Sequence, residues 1–169
     1  MPDSKGLLSP DYKAAESAAL ELLNRAGVYH PPVNPIEIAQ LVGLDVRFVQ
    51  FSGVSEGVSG LFNFRENAIY VNNNDAGKRQ TFTIAHELGH AILHKDWAET
   101  DEYKVLWRDL RRQSNDRRET EANTFAANLL MPRAMVKPYA MLNVSQLSRL
   151  FAVSEAVVKI RLQNLSNVL

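Results

Sequence analysis

The sequence has no cysteine, no excess of either charge and no long apolar run. Without cysteine there can be no disulfide, and any metal must be held by histidine and carboxylate. Lys+Arg and Asp+Glu both number 19 in 169 residues. That balance argues against direct nucleic-acid or membrane-surface binding, both of which favour a basic excess. No apolar stretch approaches the ~18 residues of a membrane span. Met1–Gly6 lacks the apolar core of a secretory signal. A cytoplasmic protein of one domain is the expectation, since a chain of this length buries roughly 70% of its unfolded surface.

What the chain does contain is H-E-x-x-H: His86, Glu87 and His90, within Thr81–His94. Residues four apart share one face of an α-helix, roughly 6 Å apart along its axis. Two imidazoles so placed can share one tetrahedral zinc, and the adjacent Glu87 can reach a water activated by that metal. The helix itself is supported by Ile84, Ala85, Leu88, Ala91, Ile92 and Leu93 at three- and four-residue spacing, with no proline over 77–95. Gly89 costs such a helix about 1 kcal/mol relative to alanine. It predicts that another backbone, or a substrate, comes close there. The bland alternative is a buried helix that merely carries histidines.

Around this stretch the periodicity predicts a helix over 12–26 stopped by Gly27, and a short helix capped by Asn34 with Pro35 at its first position. Strand-like runs follow at 44–51, 57–64 and 68–71, the last two joined by a turn at 65–67. They suggest a small antiparallel sheet of about three strands. An edge near Ser59, Gly60 and Leu61 can add an extended peptide as a further strand. Residues 96–114, with Trp97, Tyr103 and Trp107, read as a long loop able to gate the site. A second strong helix spans 116–130 and stops before Pro132. Two short helices, 144–151 and 154–165, have helix-turn-helix spacing, and the second carries Lys159, Arg161 and Gln163. They either complete the core or form a DNA-binding or protein-binding module without catalysis.

A catalytic zinc usually has three protein ligands and one open position. His94 lies about 12 Å from His86 along a continuous helix, too far for one ion. It is expected to pack or to support a ligand. Glu119 and Glu121 on the second helix are the candidates for the third ligand. Glu119 shares a face with Asn123, Ala126 and Leu130 and is preferred; Glu121 points about 200° away. Asn123 is placed to orient a ligand. His94, Tyr70 and Tyr103 are candidate oxyanion donors.

Thr83–His90 and Glu119–Pro132 resemble the two signature segments of the ImmA/IrrE family of zinc metallo-endopeptidases. Asn34–Ala39, Ser59-Gly60 and Leu93-His94 also fit, and the resemblance covers about residues 30–165. With it, the expected fold is an α+β, mostly helical zincin-like domain over 1–169, in which residues 1–9 read as a loose tail and 143–165 as the helix-turn-helix-like pair. The resemblance implies His86, His90 and Glu119 as metal ligands and Glu87 as catalytic base, with Zn2+ as cofactor and Mn2+ as a substitute. The implied substrate is a protein, a helix-turn-helix repressor of phage, mobile-element or stress genes.

Overall fold

The computed structural model describes residues 9–53, 57–98 and 116–166. Helix α1 (Tyr12–Ala26) starts where the Asp11 side chain accepts the Ala14 N–H and stops at Gly27, whose φ of 66° only glycine adopts freely. Its face Ala15, Ala19, Leu22 and Leu23 is buried. Helix α2 (Pro35–Leu41) is capped by Asn34, which accepts from the Ile36 N–H, with Pro35 at the first helical position.

Strands β1 (Asp45–Val49), β2 (Gly60–Asn63) and β3 (Ala68–Asn72) form one sheet in the order β1-β3-β2. β2 and β3 make the expected antiparallel hairpin, with Gly60 opposite Val71. The expected all-antiparallel sheet is corrected at β1, which runs parallel to β3 with Asp45 opposite Ala68. A parallel pair needs a crossover of a dozen or more residues, and here 50–67, including β2 itself, supplies it. β3 is therefore central and β2 is an edge. The Asn72 N–H donates to the Ser59 carbonyl at 2.8 Å. By ladder alternation, the backbone groups of Gly60 and Phe62 face away from β3.

Helix α3 (Gly77–Leu93) lies between the sheet and helix α5 (Arg117–Leu130), with the short α4 (Lys95–Ala98) following it. Both neighbours approach α3 closely, and two glycines permit it. A Cβ on Gly89 would lie 3.1 Å from the Phe125 ring and 3.2 Å from the Ala122 Cα of α5. The close approach predicted at Gly89 is thus made by a second backbone. A Cβ on Gly60 would lie 2.3 Å from the Thr83 Cγ2 and 2.9 Å from the Tyr70 carbonyl. Phe125, Leu129 and Leu130 are fully buried and join α5 to the α1 face in one apolar cluster. Truncating a buried phenylalanine such as Phe125 to alanine costs about 3–5 kcal/mol. Asp116 caps α5 through the Arg118 N–H, and Met131-Pro132 ends it.

Helix α6 (Arg133–Val136) and a 3-10 turn (Lys137–Tyr139) lead to α7 (Val144–Leu150), which opens with an Asn143–Gln146 capping box, and α8 (Glu155–Ser166). Lys159 and Gln163 of α8 are exposed, but Arg161 is turned inward. Its Nε donates to the Met131 carbonyl at 2.8 Å and its Nη2 to the Asn128 Oδ1 at 2.6 Å. This docks the helix pair on α5. No helix among the described residues is long and apolar enough to cross a membrane. Of the proposed gating loop, 99–114 lies outside the described residues.

Candidate metal centre

The helical spacing of His86 and His90 brings their Nε2 atoms to 3.1 Å from each other. Across the contact that Gly89 permits, α5 delivers Glu119, whose carboxylate oxygens lie 3.3 Å from His86 Nε2 and 3.1 Å from His90 Nε2. All three residues offer a ligand atom within 4.8 Å of the others. For bonds of about 2.0–2.1 Å to a tetrahedral ion, donor–donor separations are about 3.3–3.4 Å. The donor set therefore fits a divalent metal ion with little movement.

Each histidine is oriented from behind. The Nδ1 of His86 meets the Asn123 Oδ1 at 2.9 Å, and the Nδ1 of His90 meets the Nδ1 of His94 at 3.0 Å. The Nε2 of His94 in turn lies 2.8 Å from Glu121 Oε2. Burial lowers the His94 pKa, so this ring is neutral near pH 7. Its Nε2–H donates to Glu121, its Nδ1 accepts the His90 Nδ1–H, and the His90 Nε2 lone pair is left facing forward. Such outer partners fix the tautomer and orientation of a histidine and raise its basicity as a ligand. The other Glu121 oxygen accepts the backbone N–H of Asp11 at 2.8 Å and the Arg117 Nε at 3.0 Å. Trp97 packs near the rings of His90 and His94, with the Arg118 guanidinium 4.4 Å above its centroid.

The charges at the front are set by burial against mutual attraction. Burial favours neutral His86, but the carboxylates of Glu119 and Glu87 outweigh it and raise its pKa. Burial would also favour neutral Glu119, yet the adjoining His86 and His90 rings hold its carboxyl far below the ordinary range. Glu119 is thus an anion, as a ligand must be. Glu87 differs: burial pushes its pKa up, against the two histidines and the Phe62 N–H, which donates to it. A carboxylate of raised basicity therefore sits beside the donors and beneath the outward-facing edge of β2.

The family model for the IrrE N-terminal-like domain, a peptidase family, matches residues 40–163. The chain belongs to the ImmA/IrrE family. The radiation response metalloprotease IrrE of Deinococcus radiodurans is 31% identical over 130 residues, which are 76% of this chain and 38% of that protein. An uncharacterized immunity region protein of Bacillus phage phi105 is 34% identical over 108 residues, 63% of each chain. A Mycobacterium tuberculosis transcriptional regulator of known structure shares the fold, with a TM-score of 0.61, 18% identity, and coverage of 86% of this chain and 45% of that one. The chain thus spans less than two thirds of each of these relatives.

Within this ImmA/IrrE fold, the structure brings together His86, Glu87, His90 and Glu119. Glu121 does not join the cluster; it lies behind His90. Of the oxyanion candidates, His94 is committed to Glu121, and Tyr70 bonds Glu66 and Arg47 on the exposed side of the sheet. Tyr103 lies outside the described residues. Sequence reasoning did not reach the back-side role of Glu121. Its helical position reads as surface until α1 is docked on it.

Proposed function

We propose that this chain is a zinc-dependent endopeptidase that makes one defined cut in a helix-turn-helix repressor. The observation that carries the reading is the convergence of His86, His90 and Glu119 on one point, with buried Glu87 adjacent. His86, His90 and Glu119 would hold a zinc ion there, which would supply Lewis acidity toward the scissile carbonyl and the attacking water. Glu87, made more basic by burial, takes the proton of the attacking water and returns it to the leaving amine as the C–N bond breaks. Asn123 and the His94–Glu121 pair hold His86 and His90 in register through these steps. The substrate lies extended along β2, where the carbonyl and N–H of Gly60 face outward and can pair with it.

The repressor target comes from the family resemblance and agrees with the phage immunity-region relative. The balanced charge suits an enzyme that meets a repressor rather than DNA. The inward turn of Arg161 removes one of the three side chains that a DNA-reading α8 would offer. The reaction then takes place where the repressor works, in the cytoplasm. The test is to mix the purified protein with the repressor encoded beside its gene, supply zinc or manganese, and read the products by mass spectrometry. A single cut that disappears with Glu87→Gln supports the reading. Tight binding with the repressor intact under every metal condition would replace it with a non-catalytic binding module.

A further inference from the structure

A groove of about 900 Å³ runs between α5, α8 and the start of α1. One end opens at Phe82 and at Asn123, the residue that bonds His86. Its far part is lined by Asn128, Ile160 and Arg161. The groove thus follows one stripe of α5 up to the flank of His86, without being lined by His86, Glu87, His90 or Glu119 themselves. Its exposed rim is mixed: Tyr12 and Ile160 (58% exposed) stand beside Glu16, Arg133 and Asn164.

Arg161 is the unusual wall residue, being only 6% exposed. Two of its nitrogens are committed to Met131 and Asn128. Among the described residues no hydrogen bond reaches its Nη1 and no carboxylate lies at ion-pair distance. Buried guanidinium groups are normally paired, because removing the charge from water is costly. Burial does lower the Arg161 pKa; Glu16 offsets this only from a distance, and the nearby Arg133 adds to it. Arg161 and Arg133 line the groove against the one carboxylate of Glu16, a net positive charge beside the apolar Ile160, Val157 and Leu165, which suits a carboxylate attached to an apolar chain.

Asn128, which holds Arg161, follows Glu119 by nine residues, roughly 13 Å along the helix. An extended peptide advances about 3.3 Å per residue. We propose that this groove receives the substrate chain on one side of the scissile bond, and that Arg161 binds an acidic side chain about four residues from the cut. This deepens the peptidase reading and rests on it. The groove becomes the element that distinguishes a repressor segment from other extended chains, using one apolar stretch and one charge at fixed distance.

The experiment uses the full-length zinc-loaded protein and peptides that carry a metal-chelating hydroxamate at one end. Two series are made, with the hydroxamate at the N-terminal or the C-terminal end, and aspartate or asparagine is placed at each following position. In one series, aspartate at the fourth position is expected to bind about tenfold tighter than asparagine, with the advantage lost at the second position. Arg161→Gln should erase that preference while leaving the affinity for acetohydroxamate unchanged. Because Arg161 also ties α8 to α5, Ile160→Glu on the exposed rim provides a second variant that keeps the fold. It should reduce the preference for aspartate by placing a negative charge beside Arg161. Equal affinity for aspartate and asparagine at every position of both series would overturn the proposal while leaving the metal centre intact. Displacement by free succinate as effective as by the peptide would overturn it in favour of a small-anion site. Failure of acetohydroxamate to bind at all would remove the metal centre, and the peptide track with it.

Discussion

Glu119 and Glu121 stand two residues apart on α5 and face opposite sides of the same histidine pair. The Glu119 side chain is 24% exposed, and its partners are the two histidine nitrogens that point forward. The Glu121 side chain is 6% exposed, and its oxygens are filled by His94, Arg117 and the Asp11 N–H. Identical chemistry on one helix thus serves two ends. The front carboxylate keeps contacts that an ion can take over. The rear one has its acceptor sites spent on donors from α1, α3 and α5 itself, so it stiffens what lies in front of it. The difference is made by neighbours: α1 covers the Glu121 side of α5, and the Glu119 side faces His86 and His90 of α3.

The sharpest way to break this comparison is to remove each carboxylate in turn. Glu119→Ala should lose nearly all bound metal after dialysis, and cleavage with it, whereas Glu121→Ala should retain the metal in whatever fraction folds. Elemental analysis reads both, and the reverse pattern would exchange the two roles. Next in size, Glu87→Gln should keep its metal but cut about 10²–10⁴-fold more slowly; an unchanged rate would remove Glu87 from the proton transfers. On the rear side, His94→Gln should weaken metal affinity by about 10–100-fold. Competition with a chromogenic chelator measures this, and an unaltered affinity would show that His90 needs no support. The smallest effect concerns the contact that joins the two sides. Gly89→Ala gains about 1 kcal/mol of helix propensity but overpacks Phe125 and Ala122 at a typical cost of about 1–3 kcal/mol. The net expectation is a Tm lowered by a few degrees, at about 2–4 °C per kcal/mol for a chain of this size. A raised Tm would mean that α5 yields without strain.

The front of the site was far more legible in the sequence than the rear. His86, Glu87 and His90 are tied by helical spacing, a local rule, and α1, α3 and α5 each announce themselves by periodicity. Glu119 could be preferred because it shares a stripe with Asn123 and Ala126. Glu121 could not be placed, because its partners Asp11 and His94 become neighbours only through tertiary docking. The parallel pairing of β1 was equally hidden. Local alternation describes a strand but not which way its neighbour runs, and the burial of β1 barely alternates. Arg161 misled for a related reason: an arginine on a short terminal helix reads as surface, and only the docking of α8 on α5 shows it is buried.

The bond from the Asp11 N–H to Glu121 spans 110 residues of chain. Contacts that close so long a loop are slow to form, because the entropy of closure is lost before they bring any gain. The two histidines, by contrast, come together as soon as α3 winds. During folding the chain thus owns two of the three clustered donors well before it owns the third. An ion held by all three would be retained only once α3 and α5 have docked.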